Sequence, residues 1–178
     1  QSGGGVIAAP AARAAPVRLA ESGPVGGALA ARMLAEAAGY SDAIAFDMGG
    51  TTAKTCLIAD CEMPVTRTYE VDRVHRFKRG SGTPIAVPTV DLIEIGAGGG
   101  SYARVDTLGL IQIGPESAAA DPGPACYGRG GTRATVTDAN VLLGYLDPAD
   151  FLAGAMQLDI KATEEAISRD IGTPLGLT

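Results

Sequence analysis

The chain has 178 residues and a formal net charge of −6, and 46% of its residues are hydrophobic. The apolar fraction excludes an intrinsically disordered chain, and 25 glycines without a three-residue period exclude collagen. A sequence pI of about 4.7 argues against a surface for nucleic acid or anionic membranes.

Cysteine usage and apolar runs bear on the compartment. The three cysteines, Cys56, Cys61 and Cys126, contain no C-x-x-C pair, which favours reduced thiols; a Cys56–Cys61 disulfide is the alternative. No apolar run approaches the roughly 18 residues of a membrane span, and the N-terminal residues lack the apolar block of a secretory signal. We therefore expect a cytoplasmic protein with no membrane segment.

The first predicted element is a helix. Residues 1–21 are rich in Gly, Ala and Pro without a periodic pattern, which predicts a loop or broken strands. Ser22 suits an N-cap and Pro24 suits the first helical turn, so a helix is predicted as far as Ala38. Gly39 ends it. The apolar side of this helix is mostly alanine, which permits close packing against a neighbour.

Strand patterns come next along the chain. Residues 43–46 are short and apolar, as in a buried strand, and 53–59 predict a second strand after a turn. Residues 65–74 alternate more cleanly, which is typical of a half-exposed strand. A basic loop follows at 78–82. The single histidine, His75, has arginines nearby on both sides, which favours a surface role over metal ligation.

The second half of the chain continues with strands, then a turn-rich loop, and then helices. Residues 90–95 predict a strand, and 102–105 with 110–113 predict a hairpin. The segment 114–131 predicts a rigid, turn-rich loop. Helices are predicted at 137–146 and at 159–170, with Asp159 as the cap of the latter and with Ile160, Ala162, Ala166 and Ile167 turned inward. The order of elements indicates an α/β or α+β fold.

The sharpest local feature runs from Asp47 to Thr52. A buried strand delivers one acid, and two glycines and two hydroxyls follow before the next strand. Glycines let backbone N–H groups approach a phosphate, and hydroxyls add donors. Asp47 can hold Mg²⁺, usually through water. The alternative is a tight hairpin in which Asp47 caps the turn.

A second glycine cluster runs from Gly96 to Ser101. It is not G-x-G-x-x-G, because Ser101 fills the last position and a strand follows, and G-x-x-x-x-G-K-[ST] does not occur in the chain. Such glycines suit close approach to a ligand or to another strand, and a simple bend is the alternative. Asp138, next to Thr137, is a candidate polar site residue whose alternative role is helix N-terminal chemistry.

Six motifs, taken in order, resemble one protein family. They are SGPVGG at 22–27, FDMGGTT at 46–52, IGAGGGS at 95–101, GPES at 114–117, DPGPACYG at 121–128 and TVTDAN at 135–140. On these motifs the chain resembles the hydantoinase A / 5-oxoprolinase family, which includes N-methylhydantoinase A and subunits of acetone and acetophenone carboxylases. The resemblance spans nearly the whole chain.

The resemblance implies a particular fold. It is the ribonuclease H-like ATPase domain of actin, Hsp70 and sugar kinases, in which each of two halves carries a glycine-bearing phosphate hairpin. Asp47 to Thr52 resembles the second hairpin, and the helix 23–38 resembles the connecting helix before it. The first hairpin, an acid-Gly-Gly-Thr, is absent, so we expect residues 1–178 to be the central fragment of an incomplete ATPase domain.

The resemblance also implies an activity. ATP phosphorylates a carbonyl or amide oxygen, and water then opens a cyclic amide, so the full-length protein is expected to be an ATP-dependent hydantoinase or oxoprolinase. The alternatives are a ketone carboxylase subunit and a non-catalytic scaffold fragment. ATP and Mg²⁺ are the expected cofactors, a small cyclic amide the substrate, and a hydantoinase B-type subunit or domain the partner. The isolated fragment is expected to be inactive.

The same resemblance assigns site residues. Catalysis is assigned to Asp47 and Asp138, and Asp47 also holds the metal. Phosphate is assigned to Gly49, Gly50, Thr51 and Thr52, and the lining of the nucleotide cleft to Gly98, Gly99 and Gly100. Many members carry Ser-Thr-Asp after Gly-Gly-Thr, whereas Thr52, Ala53 and Lys54 stand here. The second acid is missing, so Lys54 is expected to face a phosphate or solvent.

Overall fold

The structure is a computed structural model that describes residues 1–72, 74 and 80–177. His75, residues 78–79 of the predicted basic loop and part of the predicted strand 65–74 lie outside these ranges. The chain forms two compact units. The first unit comprises residues 1–47 and 54–94, and the second comprises residues 48–53 and the chain from 95 onward. Within the described residues two helices precede a run of nine strands and three helices follow, in an α/β fold, as predicted.

Five α-helices and nine strands lie within the described residues. The helices are α1 (Ala9–Ala14), α2 (Ser22–Ala37), α3 (Val136–Leu142), α4 (Ile160–Ile167) and α5 (Thr173–Leu175). The strands are β1 (Ala43–Met48), β2 (Ala53–Ile58), β3 (Val65–Thr66), β4 (Tyr69–Val71), β5 (Thr83–Ile85), β6 (Thr89–Val90), β7 (Ile93–Ile95), β8 (Ser101–Val105) and β9 (Ile111–Ser117). No helix among them is long and apolar enough to cross a membrane.

The N-terminal segment is helical in two places. It contains α1 and a 3₁₀ turn at Pro16–Leu19. The prediction of a loop or broken strands for residues 1–21 is therefore wrong for these two stretches. Alanine has the highest helix propensity, and a proline stands in the first turn of each stretch, where its missing N–H costs nothing.

Helix α2 confirms the predicted helix but shifts its cap. Glu21, not Ser22, is the N-cap; it has φ 59° and no side-chain capping bond. Gly39, with φ +83°, follows the C-cap as predicted. The buried residues of α2 are Val25 and Ala28, so a small-residue face packs inward.

A three-stranded sheet in the order β1-β2-β7 packs on α2. The predicted strands at 43–46 and 53–59 are confirmed, whereas the predicted strand 90–95 is divided between β6 and β7. Four residues connect β1 to β2, and so short a connection makes the pair an antiparallel hairpin. The inward residues join the core of the first unit, which contains Val25, Ala28, Ala45, Cys56, Ile58 and Val90.

The opposite face of this sheet is apolar and exposed. Ile44 is 68% exposed and Phe46 is 58% exposed, at alternating positions of β1. Large side chains on β2 and β7 are exposed as well, namely Leu57, Ile93 and Ile95. Helix α2 therefore covers one face of the sheet and leaves an apolar layer on the other.

The predicted strand 65–74 is two short strands with different partners. Val65 of β3 pairs with Val90 of β6, and Tyr69 of β4 pairs with Ile85 of β5. Thr66 donates its hydroxyl proton to the carbonyl of Thr68 at 3.0 Å, which turns the chain between the two strands.

The second unit is built on the predicted hairpin, now β8 and β9. Asp106 forms its turn by accepting the N–H groups of Leu110 at 3.0 Å and Leu108 at 2.8 Å. These bonds, first that from Leu110, lower the pKa of the Asp106 carboxyl because they favour its charged form. A 3₁₀ turn at Ala125–Tyr127 lies in the predicted turn-rich loop.

The C-terminal helices are shorter than predicted. Helix α3 ends at Leu142, and α4 continues into a π-helical turn at Ser168–Gly172. Asp159 caps α4 as predicted, accepting the N–H of Ala162 at 2.9 Å. Ile160 is 47% exposed, so the inward prediction is wrong for it. Side chains on a helix tilt toward its N-terminus, so the side chain of Ile160, the first residue of α4, extends beyond the end of the helix.

Candidate functional site

The turn between β1 and β2 is a hairpin tip whose first three residues are exposed. It is here called the phosphate hairpin (Gly49–Thr52), after the ligand that the sequence predicts for it. Gly49 donates its N–H to the carbonyl of Thr52 at 2.9 Å, so the turn is closed by its own backbone. Among the described residues, no acceptor engages the N–H groups of Gly50, Thr51 and Thr52 or the two threonine hydroxyls. Three consecutive backbone donors and two hydroxyls of this turn thus lack a partner within the described residues, and those of Gly50 and Thr51 belong to exposed residues that an anion can reach.

The second glycine cluster packs directly against this hairpin. Gly99 donates its N–H to the carbonyl of Gly49 at 2.9 Å, and Gly100 donates to the carbonyl of Gly50 at 2.7 Å. The sequence left open whether these glycines meet a ligand or another part of the backbone. In the structure they meet the backbone of the phosphate hairpin.

Close contact explains why glycine stands at position 98. A Cβ on Gly98 would lie 2.6 Å from the carbonyl oxygen of Gly49 and from the nitrogen of Thr52. The N–H of Gly98 donates to the Ser101 hydroxyl at 2.9 Å. The N–H groups of residues 98–100 are therefore all engaged inside the protein. These glycines support the hairpin through backbone contacts. That they also line a nucleotide cleft stays a prediction.

Thr137, in the first turn of α3, completes this arrangement. Its N–H and its hydroxyl both donate to the carbonyl of Gly99, each at 2.8 Å. In the sequence Thr137 stands out only as the neighbour of Asp138, so this contact is not predicted. Its place inside the TVTDAN motif was the signal available. The second unit thus brings together the phosphate hairpin, the glycine cluster and the start of α3.

Asp138 is fully buried, and both of its carboxylate oxygens are engaged. Oδ2 accepts the N–H of Thr135 at 2.9 Å and its hydroxyl at 2.7 Å. The N–H of Asp138 donates in return to the hydroxyl oxygen of Thr135 at 3.3 Å, which completes a capping box at the start of α3. Oδ1 accepts the N–H of Cys126 at 2.7 Å. This geometry bears out the alternative of helix N-terminal chemistry, and a catalytic role for Asp138 stays a prediction.

The cysteines are free thiols, as predicted. Burial, and then the nearby Asp138 carboxylate, raises the pKa of the Cys126 thiol far above its usual value. Burial, and then Asp91, raises the pKa of the Cys56 thiol as well. Both thiols remain protonated at neutral pH and pack as small apolar groups.

Asp47 lies in the first unit, beside a small cleft between α2 and the sheet. The cleft has a volume of about 140 Å³, and Gly27 and Lys54 line it together with Asp47. A Cβ on Gly27 would lie 3.9 Å from Oδ2 of Asp47, in ordinary contact. The Asp47 residue is exposed, so its carboxylate is accessible to a ligand.

Lys54 does not face solvent. Its Nζ lies 2.5 Å from Oε2 of Glu21 and 3.6 Å from Oε1 of Glu94, and its side chain is only 14% exposed. The hydroxyl of Tyr69 donates to the other oxygen of Glu21 at 2.8 Å. The expectation that Lys54 faces solvent is therefore wrong: this lysine ties the start of α2 to β2 through Glu21.

A metal site of protein ligands alone is not formed in the part of the chain that the structure describes. No group of three or more His, Cys, Asp or Glu residues lies close enough together there to hold a metal ion. Mg²⁺ usually takes one or two carboxylates and completes its shell with water and substrate phosphates. The exposed carboxylate of Asp47 fits that pattern, and its role as a ligand stays a prediction.

The comparisons with known proteins converge on one family. The family model described as Hydantoinase/oxoprolinase matches residues 1–178. An uncharacterized protein of Methanocaldococcus jannaschii is 43% identical over 172 residues, which are 95% of this chain and 25% of that protein. The caprolactamase subunit alpha of Pseudomonas jessenii is 37% identical over 178 residues, which are 100% of this chain and 24% of that subunit.

Solved structures agree with the sequence matches. The crystal structure of the ATP-dependent caprolactamase of Pseudomonas jessenii superposes with a TM-score of 0.65 at 38% identity, over 88% of this chain and 21% of that chain. A nucleotide-free acetone carboxylase, described in terms of ATP-dependent acetone carboxylation, also gives 0.65, at 34% identity over 88% and 21%. The chain spans about a quarter of the length of the curated relatives it matches.

Proposed function

The chain belongs to the hydantoinase/oxoprolinase family, and from this premise we propose that it is part of the ATP-dependent subunit of a cyclic amide hydrolase. In this activity the terminal phosphoryl group of ATP passes to the carbonyl or amide oxygen of the substrate and ADP leaves. Water then attacks the activated carbon, the ring C–N bond breaks and phosphate is released. The observation that carries the proposal is the exposed phosphate hairpin with its free donors. The description of the caprolactamase relative as ATP-dependent supports it.

The phosphate hairpin is proposed to bind the phosphates of ATP. Within the part of the chain that the structure describes, the N–H groups of Gly50, Thr51 and Thr52 and the two threonine hydroxyls have no partner, and Gly49 closes the turn that presents them. Backbone donors held in place before binding stabilise charge at little reorganisation cost. ATP would supply the phosphoryl group, and Mg²⁺ would neutralise charge on its phosphates.

Asp47 precedes the hairpin by two residues in the chain, and we assign it the acidic role. Its exposed carboxylate would hold Mg²⁺ through water or orient the attacking group. Asp138 is a weaker candidate for direct chemistry, because it is fully buried and both oxygens are engaged by backbone N–H groups and a hydroxyl. In the proposal Asp138 shapes the start of α3. Gly98, Gly99 and Gly100 support the phosphate hairpin and in this way border the nucleotide cleft.

We further propose that residues 1–178 are the central part of an actin-like ATPase domain. The apolar face of the sheet supports this, because an exposed apolar surface normally marks a region that another part of a protein covers. Ile44 and Phe46 on that face are more than half exposed. The first phosphate hairpin, and a hydantoinase B-type partner that completes the reaction, would lie outside this chain. Relatives named as subunits alpha, beta and gamma of larger enzymes are consistent with such a partner.

A ketone carboxylase subunit is the second candidate. The structural similarity to acetone carboxylase, at 34% identity and a TM-score of 0.65, favours it specifically. Both candidates use the hairpin in the same way, and they differ in the reaction that follows phosphoryl transfer. In the first, water attacks the activated cyclic amide. In the second, an enol phosphate is carboxylated with carbon from bicarbonate.

The proposal is tested in the intact protein with its partner subunit. ATP hydrolysis is measured on a panel of cyclic amides and ketones, with and without bicarbonate. Asp47→Ala is expected to lower substrate-dependent ATP hydrolysis by about 100-fold or more, in the range typical for loss of a positioned acid or base. Asp150→Ala, which removes an exposed carboxylate in the second unit, is the control. Unchanged turnover in Asp47→Ala would refute the assignment, and dependence on bicarbonate would favour the carboxylase.

A further inference from the structure

Thr137 is placed where it acts on the phosphate hairpin without belonging to it. Its hydroxyl and its N–H donate to one carbonyl, that of Gly99, each at 2.8 Å. A peptide oxygen has two lone pairs, so these two donors fill it. Thr137 itself is 7% exposed, which keeps water from competing for this oxygen.

The carbonyl that Thr137 holds belongs to the peptide group between Gly99 and Gly100. The N–H of that same peptide group is the one that Gly100 donates to Gly50 at 2.7 Å. A peptide group is planar, so fixing its oxygen also fixes the direction of its N–H. Hydrogen bonds at both ends of a peptide group also strengthen each other. A single peptide group therefore connects the Thr137 hydroxyl to the backbone of the phosphate hairpin.

The packing leaves this peptide group no room to adjust. A Cβ on Gly99 would lie 2.9 Å from Oγ1 of Thr137, and a Cβ on Gly100 would lie 3.0 Å from the carbonyl oxygen of Gly50. The glycine cluster is thus held between Thr137 on one side and the phosphate hairpin on the other. A change at Thr137 reaches the hairpin through a chain of contacts without slack.

The Thr137 hydroxyl is not required to begin α3. The capping box of Thr135 and Asp138 already satisfies the start of this helix. We infer that Thr137 is a positioning residue, which holds the phosphate hairpin in its binding shape through the Gly99–Gly100 peptide. The inference deepens the proposed function and rests on it for the consequence at ATP, but the contact that it names exists without any ligand.

Three substitutions in the intact protein test the inference. Thr137→Val removes the hydroxyl at nearly constant shape, and Thr137→Ser keeps it. Thr163→Val is the matched control, because the fully buried Thr163 also donates its hydroxyl to a backbone carbonyl, that of Asp159 at 2.8 Å in α4, with no bond to the hairpin. Each variant is measured for thermal unfolding, for amide exchange of peptides covering 96–101, and for the KM and kcat of ATP hydrolysis.

Amide exchange, measured without ATP, reads the contact directly. In Thr137→Val the amides of Gly99 and Gly100 are expected to exchange about tenfold faster, because a factor of this size corresponds to the loss of one hydrogen bond. In Thr137→Ser they are expected to stay within about twofold of the parent. The KM for ATP is expected to rise about tenfold in Thr137→Val while kcat changes less, because the hairpin binds less well before chemistry begins.

The outcomes separate this inference from the proposed function. If the parent does not hydrolyse ATP, the proposed function fails, and amide exchange still decides whether Thr137 holds the hairpin. Parental exchange rates at Gly99 and Gly100 in Thr137→Val would overturn the inference. So would equal exchange and KM changes in Thr163→Val, because the effect would then follow general destabilisation. The inference would also be overturned if Thr137→Ser did not retain the parental exchange rates and the parental KM for ATP.

Discussion

Gly98→Ala is the substitution for which the structure gives the clearest magnitude. The new methyl group would lie 2.6 Å from the Gly49 oxygen and the Thr52 nitrogen, and 2.7 Å from the Thr51 carbonyl carbon. All three are backbone atoms, so no side chain can rotate away and the hairpin or the glycine cluster must move. Overpacking of this kind costs about 2–3 kcal/mol. The φ of Gly98 is not positive, so alanine also lowers the entropy of the unfolded chain and returns roughly 0.5 kcal/mol.

The net expectation is a loss of about 2 kcal/mol in the free energy of unfolding, which corresponds to a fall in Tm of roughly 4–8 °C for a chain of this size. Urea and thermal denaturation of the purified chain measure it. Gly26→Ala is the control, because no atom lies within 4 Å of its new methyl group in the interior of α2. It should raise stability by about 0.5–1 kcal/mol. A Gly98→Ala variant as stable as the parent would refute the close contact between Gly98 and the phosphate hairpin.

Two further predictions concern charged groups that hold secondary elements together. Lys54→Met should destabilise the chain by about 1–2 kcal/mol, because Glu21, with its side chain only 16% exposed, loses its closest cation; equal urea midpoints for variant and parent would contradict this. Burial raises the pKa of Asp170, but Arg169 and the Ala134 N–H outweigh it, so the pKa is lowered overall. A lowered carboxyl pKa stabilises above the unfolded value of about 3.9, and the stabilisation is lost as the pH falls through the folded value. Asp170→Asn should therefore be about 1 kcal/mol less stable at pH 7. This difference should begin to narrow below about pH 4 and should vanish only below the lowered pKa of the folded state; a difference that does not change with pH would contradict a role for the Asp170 charge.

Local patterns were sufficient for the regular elements. The helix at 22–37, the hairpin of β8 and β9 and the cap at Asp159 follow from signals within a few residues of each other, and all are present. The prediction of one strand over residues 65–74 is wrong because strand pairing there depends on residues that are distant in the sequence. Its alternation is compatible with one long strand, but Val65 and Tyr69 pair with strands that lie elsewhere in the sequence.

The candidate site was predicted in part. The glycines and hydroxyls of residues 49–52 stand out by their types alone, because glycine leaves the backbone accessible and threonine adds a donor; that they bind phosphate stays a prediction. The role of residues 98–100 was not, since a glycine that admits a ligand and a glycine that admits another backbone look identical in sequence. The free donors of the hairpin and the engaged donors of the cluster become distinct only once their partners are known.

The sequence by itself determined the family, the α/β class, most of the regular elements and the hairpin at 49–52, because these depend on residue type and on short-range order. Only the tertiary structure decided which groups meet. Thr137 reaches Gly99 across 38 residues of chain, and Lys54 meets Glu21 rather than solvent. Such hydrogen bonds and ion pairs require donors and acceptors within about 3 Å in a fixed direction, and no periodicity or composition encodes which distant segments come that close.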